Sequence, residues 1–565
     1  MNTDFDVIVV GSGISGGWAA KEFAEQGLKT LVIERGRMVK HIKDYPTANL
    51  DPWEFKHYGA KTQEDLKKYD RNSVHYAFNE STKHFYVADD EQPYIEEKPF
   101  RWIRGYQVGG KSLLWARQTQ RWSTYEFSAP KVHNYGIEWP IDYNELAPWY
   151  SHVEKFVGIS GTKDGIVNMP DSEVVGSFEM NVVEKEIASA IHKYYPDRHA
   201  IIGRCANLAE IKDVQRKQGR SQCMARSLCE RGCPFGGYFS SNSSTLPFAE
   251  KTGNLQIRTD SIVKSVIYDE KIQKASGVIV LNTLTNKEEI ITARIIFLNA
   301  STLNTNLILL NSRSSRFPDG LGNDNGLLGR YIVFHNYRGL IRAEMDGYED
   351  AYYYGRRPTQ VFMPAFKNIQ NAEEKFKGTY LVAFSASREG WNRSVSGDQV
   401  GPKYKDSLCE PGKWRISMQM QGEVLPSFEN HVRLSNELDK YGMPKLITHV
   451  TYSENDVHMM EDFLAEGEQM LLKSGATNIQ KIDQHIAFGR QPGLEVHEMG
   501  GVRMGNSPSN SLLNKFNQLH ACPNVFVTDG ACMTTAANQN PSLTFMAMTA
   551  RAANYAIEKF KEGKL

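Results

Sequence analysis

Residues 7–10, Val-Ile-Val-Val, run directly into Gly11-Ser12-Gly13-Ile14-Ser15-Gly16 and then into a helical pattern over 18–26. A short apolar run reads as a buried strand and the periodicity after it predicts an amphipathic helix. No other feature constrains the chain as much as this order of strand, glycine turn and helix. Gly11 permits the tight turn, Gly13 lets the backbone approach a pyrophosphate, and Gly16 lets helix and strand pack closely; the diphosphate is then held on N–H groups at the helix start, where Ser15 lies. A second strand over 30–33 ends in Glu34, about 20 residues past the glycines, where a partner for a ribose hydroxyl belongs. The amino end therefore reads as a dinucleotide-binding unit. NAD and FAD share this fingerprint, so the rest of the chain must choose between them.

The chain has 565 residues, and single cores stop growing near ~250–300 residues, so two or more domains are expected. Its 66 basic and 66 acidic residues balance, which argues against a polyanionic partner, and no basic stripe points to nucleic acid. No 18-residue apolar run is present to span a membrane. The first strand begins too early to leave room for a signal peptide. The expectation is a cytoplasmic chain, or a periplasmic one if a partner subunit carries the export signal.

Residues 104–122, RGYQVGGKSLLWARQTQRW, read as a loop entering a helix. Gly109 and Gly110 would allow close approach to a flat ligand, and the N–H groups after them, at Ser112 onward, could hold a phosphate or a flavin edge. A glycine turn before a surface helix is the structural alternative. Over 255–310 short strands alternate with charged turns, which predicts a β-meander feeding back into the parallel sheet. From 337 to about 478 aromatic and β-branched residues dominate, consistent with an antiparallel substrate domain interrupted by one helix at 454–474.

The order Gly11-x-Gly13-x-x-Gly16, Gly109-Gly110, His497-x-x-Gly500-Gly501, NVFVTDGACM at 524–533 and Asn540-Pro541-Ser542 resembles the glucose–methanol–choline (GMC) oxidoreductase family. The resemblance implies an α/β fold with an α+β substrate part. A Rossmann-like FAD-binding domain, discontinuous in sequence (1–55, 101–125, 245–335 and 495–565), would sit beside an antiparallel-sheet substrate domain (56–100, 126–244 and 336–494). It favours FAD over NAD. It also implies that His497 is the base that takes a hydroxyl proton as hydride leaves for the flavin, a task suited to neutral imidazole near pH 7. Asn540 would orient that hydroxyl; Asn538 competes for the role, but the family's Asn directly precedes Pro. By the same resemblance Asp529 and Gly530 contact the flavin's ribityl and pyrophosphate, and Val263 the adenine side. Some sugar oxidases of the family attach FAD to a histidine shortly after the Gly-Gly loop. Here Lys111-Ser112-Leu113-Leu114-Trp115 holds none, so noncovalent FAD is expected.

Four of the seven cysteines fall within 205–233, and three form Cys223-x5-Cys229-x3-Cys233. Thiolates so spaced can hold an iron–sulfur cluster or zinc, or form a disulfide, or stay as reduced thiols. The resemblance extends to the FAD large subunits of bacterial glucose, fructose and gluconate dehydrogenases. There a similar segment ligates a [3Fe-4S] cluster that passes electrons to a cytochrome, and a small subunit supplies the export signal; soluble glucoside 3-dehydrogenases are also similar here. A cytochrome or quinone acceptor and a small partner subunit are thus expectations. A substrate region rich in Tyr, Trp, Asn, Gln and Arg, including residues 414–423, suits a sugar or glycoside oxidised at a secondary ring hydroxyl, with C3 of a glucoside first and C2, as in pyranose oxidases or gluconate 2-dehydrogenases, as alternative. A flavoprotein kept only as a binding or assembly subunit is the alternative of a different class.

Overall fold

A computed structural model describes residues 3–351, 358–369, 375–389, 400–409 and 412–565. Parts of the expected substrate stretch 336–494, namely 352–357, 370–374, 390–399 and 410–411, lie outside the described residues.

The fingerprint folds as read: β1 (Phe5–Val10), α1 (Ile14–Glu25) and β2 (Thr30–Ile33). β1 lies between β2 and the long strand Lys287–Leu298, parallel to both, and Val525–Val527 adds to the far side of that strand. Register brings Val10, Ile33, Leu298 and Val527 level. The residues that follow them, Gly11, Glu34, Asn299 and Thr528-Asp529, therefore gather on one edge, where ligands bind in open parallel sheets. The meander read over 255–310 is present: Ser261–Asp269, Lys274–Asn282 and Lys287–Leu298 pair antiparallel in succession, and the last returns to β1.

Two local readings need correction. Helix α1 is not amphipathic, since residues 15–24 are all buried. It contacts both the helix Thr245–Glu250 and the carboxyl-terminal helix Ser542–Lys561, so it has no solvent face to keep polar. Its buried Glu22 is satisfied by His152 Nε2 at 2.8 Å and Asn554 Nδ2 at 3.0 Å. Residues 104–122 do not enter a helix: one 3-10 turn, Gly110–Leu113, is followed by irregular chain. Ala206 N–H donates to the Arg117 carbonyl at 2.8 Å and Thr119 N–H to the Arg204 carbonyl at 3.0 Å. Backbone groups that a helix would pair locally are thus paired across to the cysteine-bearing segment.

A second, antiparallel sheet runs through Thr477–Asp483, Gly339–Met345, Trp414–Glu423, Tyr380–Arg388, Val361–Met363 and Ile201–Ile202, with the two-residue strand His335–Asn336 on Trp414–Glu423. Alternation divides the work of Trp414–Glu423. Trp414, Ile416, Met418 and Met420 join a buried cluster with Phe463 and Met459 of the helix Glu454–Lys473. Gln419 and Gln421 lie on the opposite face and line a cavity. A third sheet includes Met499–Gly501, Arg330–Val333 and His431–Leu438 and carries the loop before Met499. Among the described residues no helix is long and apolar enough to cross a membrane.

Candidate active site

The cavity, about 470 Å³, runs from the carboxyl edge of the parallel strands to the polar face of the second sheet. Its first half is built by glycines with separate tasks. Gly11 has φ +95°, a conformation natural only to glycine. A methyl at Gly16 would meet the Gly11 carbonyl, lying 2.9 Å from its carbon, whereas one at Gly13 would meet no protein atom within 4 Å. Gly13 is also the N-cap of α1, with no side-chain cap and no acidic residue in the first turn. Ser15, in that turn, lines the cavity. Uncapped N–H groups at a helix start, opening on a cavity beside a glycine with free space, fit a pyrophosphate.

Ser12, passed over in the fingerprint, ties three segments together. Its N–H and Oγ donate to Glu34 Oε2 at 3.1 and 2.5 Å, and its Oγ accepts from Gly109 N–H at 3.0 Å. Glu34 also accepts from Gly36 N–H at 3.0 Å, and burial pushes its carboxyl above the usual range against these bonds. A side chain at Gly109 would collide with Asn242 Oδ1, while Gly110 faces Gly13. Ser112 Oγ donates to the Gly109 carbonyl at 2.6 Å. Val263, Gly110, Ser112, Glu34, Asp529 and Gly530 line the same cavity. Asp529 accepts from Thr305 Oγ1 at 2.5 Å and Ala531 N–H at 2.9 Å, and burial raises it to about 6. Gly11, Gly13, Glu34, Gly110, Ser112, Val263, Asp529 and Gly530 are thus brought to one wall; Gly16 and Gly109 stand behind it as packing positions.

At the other end of the cavity, His497 and Asn540 meet: Asn540 Nδ2 lies 3.4 Å from His497 Nε2. Asn538 points elsewhere, donating to Glu126 Oε1 at 3.0 Å. His497 keeps one face to the cavity, and burial, followed by the neighbouring His335, Lys111 and Arg490, holds it well below the ordinary histidine value. Its Nδ1 lies 2.8 Å from Nδ1 of His335, whose Nε2 lies 3.1 Å from the Ala536 carbonyl. The residue before it, Val496, has φ +58°. A β-branched residue held there costs of order 1–3 kcal/mol, so the surrounding fold fixes the direction of His497 against strain.

Around this pair stand groups that sequence reasoning missed. Tyr337 hydroxyl donates to Gln421 Oε1, Gln421 Nε2 donates to the Asn538 carbonyl at 2.8 Å, and Arg490 lies 5.3 Å from the Tyr337 ring centre. Glu495, raised to about 7 by burial, accepts from Gly493 N–H at 2.9 Å. Lys111 Nζ sits 3.0 Å from Glu498 Oε2. Lys111 adjoins the Gly-Gly pair and Gln419 and Gln421 alternate along a strand, which are usable signals; His335 carries no local motif.

Cys223, Cys229 and Cys233 are reduced and half-buried. Burial raises the Cys223 and Cys229 thiols. Arg117, which lines the cavity, would be lowered by burial, but Cys229 and Glu230 beside it hold it above its usual value. Among the described residues no group of three or more His, Cys, Asp or Glu side chains is placed to hold a metal ion. As they stand the three thiols do not make a ligand set.

A glycine-built dinucleotide cradle facing a part-buried histidine–asparagine pair defines a class, the cofactor-dependent oxidoreductases, and likeness to known proteins narrows it. The GMC oxidoreductase family models match residues 6–335 and 426–549, and the chain belongs to that family. It is a flavoprotein oxidoreductase acting on CH–OH groups. It is 26% identical to a 2-methyl-1,2-propanediol dehydrogenase of Mycolicibacterium austroafricanum, covering 99% of this chain and 96% of that one. It is 22% identical to the fructose dehydrogenase large subunit of Gluconobacter japonicus, over 99% and 98%. In structure it is similar to pyridoxine 4-oxidase from Mesorbium loti, with TM-score 0.59 and 15% identity over 98% and 99% of the chains. That last likeness establishes the fold alone.

Proposed function

We propose that this chain is a FAD-dependent dehydrogenase, with noncovalently held FAD, that oxidises a secondary ring hydroxyl of a sugar or glycoside to a ketone, at C3 of a glucoside. One observation carries the substrate class: the wall near His497 and Asn540 is made of hydrogen-bonding groups, with Tyr337, Gln419, Gln421 and Arg490 all lining the cavity. Tyr337 and Gln421 are paired to one another, but Arg490 Nε is buried with no hydrogen-bond partner among the described residues, and leaving such a donor unpaired costs about 1–3 kcal/mol. A ligand with several hydroxyls can pair with these groups, and a sterol cannot. A diol and fructose appear in the names of two relatives, which supports the same class.

FAD, when bound, supplies the flavin ring that takes the hydride. Gly11, Gly13, Ser15, Glu34, Gly110, Ser112, Val263, Asp529 and Gly530 would hold it, with Gly16 and Gly109 shaping the loops. His497 Nε2 accepts the hydroxyl proton as the hydrogen on carbon leaves with its electron pair. Asn540 Nδ2 donates to the hydroxyl oxygen. We assign 1–55, 101–125, 245–335 and 495–565 to the FAD-binding part and the remainder to the substrate part.

Anaerobic mixing with methyl glucoside, glucose and gluconate, followed at the flavin band, tests the proposal. Bleaching by methyl glucoside with a 3-keto product is expected. A 2-keto product would favour the C2 alternative, and no bleaching by any alcohol would refute the enzyme reading. A second reading adds a [3Fe-4S] cluster on Cys223, Cys229 and Cys233, favoured by Arg117, which lines the cavity and stands beside Cys229. The thiols as placed do not fit it, so no step is derived through it.

A further inference from the structure

We propose that His335 is a positioning residue that fixes the tautomer of His497 and so decides which nitrogen receives the substrate proton. This inference rests on the reading of His497 as the base. The argument begins at the Ala536 carbonyl, which can only accept a hydrogen bond, so His335 Nε2, 3.1 Å away, carries a proton. A neutral imidazole has one N–H, which leaves a lone pair on His335 Nδ1. That atom lies 2.8 Å from His497 Nδ1, with the rings 4.9 Å apart and 85° to one another. Two such nitrogens bond only if one carries hydrogen, and the only one free to do so is His497 Nδ1. His497 Nε2 is then left unprotonated, facing Asn540 and the cavity.

His335 is fully buried, and Lys111 and Arg490 add positive charge around the pair, with the carboxylates Glu495 and Glu498 lining the same cavity. Burial pushes His335 down to about 4, in keeping with the neutral ring. The contact also strengthens as the reaction proceeds. Once Nε2 takes the substrate proton, His497 is a cation, and its Nδ1–H bond to His335 becomes charge-assisted, roughly twice as strong as a neutral one. His335 pairs in register with Glu423 on the strand that carries Gln419 and Gln421. The orientation of the base is thereby tied to the wall that would hold the substrate.

Holoenzyme labelled with 15N-histidine gives a readout independent of turnover. The two-bond 1H–15N pattern of His497, identified by its loss in His497→Ala, should show hydrogen on Nδ1 in the wild type. It should show it also in His335→Asn, whose amide oxygen can accept at the Nδ1 position, and not in His335→Ala. Hydrogen on Nε2 in the wild type, or on Nδ1 in His335→Ala, overturns the proposal. In anaerobic flavin reduction by methyl glucoside, glucose, gluconate or 1,2-propanediol, whichever reduces the wild type, His335→Ala should lower the limiting rate about 10- to 1,000-fold; the wrong tautomer in a serine protease costs roughly 10⁴-fold. The apparent Kd should stay within about threefold, and His335→Asn should recover most of the rate. A merely structural role would instead lower FAD content and change Kd in both variants. If His497→Ala reduces flavin like the wild type, the base reading fails; if it does not and His335→Ala does, only the present proposal fails.

Discussion

Gly13 and Gly16, three residues apart in one loop, should fail in opposite ways when each is changed to alanine. At Gly16 the added methyl would press on the Gly11 carbonyl, 2.9 Å from its carbon, and on Asn299 Cβ at 3.2 Å. Both obstacles belong to the floor of the loop, where relief requires the backbone to move, and overpacking of this kind costs roughly 1–3 kcal/mol. At Gly13 the methyl meets no protein atom within 4 Å, and Gly13 has φ −66°, open to any residue. Gly13→Ala should therefore leave the FAD-free protein within about 0.5 kcal/mol of wild type, as at unstrained surface sites. Its cost appears only when FAD is added: a displaced pyrophosphate losing ~1.4–2.8 kcal/mol weakens binding about 10- to 100-fold. Thermal unfolding of flavin-stripped protein and titration with FAD separate the two effects. Gly13→Ala destabilising the stripped protein as much as Gly16→Ala, or binding FAD at wild-type strength, would refute the division of labour.

Other outcomes follow from the same geometry. Asn540→Ala should retain FAD and lower the limiting rate of flavin reduction about tenfold or more, the worth of one hydrogen bond of ~1.4 kcal/mol; an unchanged rate excludes it from the reacting pair. Because His497 is held below the ordinary histidine value, the acid limb of flavin reduction should fall below pH 6.5, and a limb at or above 6.5 contradicts this. His335, lowered to about 4 by burial, binds its proton less readily folded than unfolded. Its contribution is complete above pH 6.5 and is lost as pH falls toward 4, by roughly 3 kcal/mol. The raised carboxyls Glu495 and Asp529 act in the opposite sense, so the measurement is the difference in unfolding between wild type and His335→Asn. Lys111→Met leaves the Glu498 carboxylate, 2% exposed, without its ion pair, and unfolding should show a loss of about 3–5 kcal/mol. Iron and sulfide analysis of anaerobically purified protein decides the cluster: fully active, iron-free protein rejects it as obligatory.

What could be read from sequence was local or periodic. The turn from β1 into α1 is written in consecutive residues, and the meander in alternating ones. What could not be read depends on neighbours distant in the chain. The burial of α1 on all sides comes from the helices Thr245–Glu250 and Ser542–Lys561, the latter from the other end of the chain. The path of 104–122 is set by pairing with residues 204–206. His497 stands in a recognisable motif, but His335, on a two-residue strand, acquires meaning only from a contact 162 residues away. Val496 looks like an ordinary valine until its φ is known.

The alternation along Trp414–Glu423 has a consequence for how such an enzyme changes. Met418 and Met420 hold the sheet to its helix, while their neighbours Gln419 and Gln421 turn toward the cavity. Recognition and stability are written on opposite sides of one strand. New substrates can be explored at Gln419 and Gln421 with the core left intact, so the strand offers a route by which specificity can change without the sheet first being rebuilt.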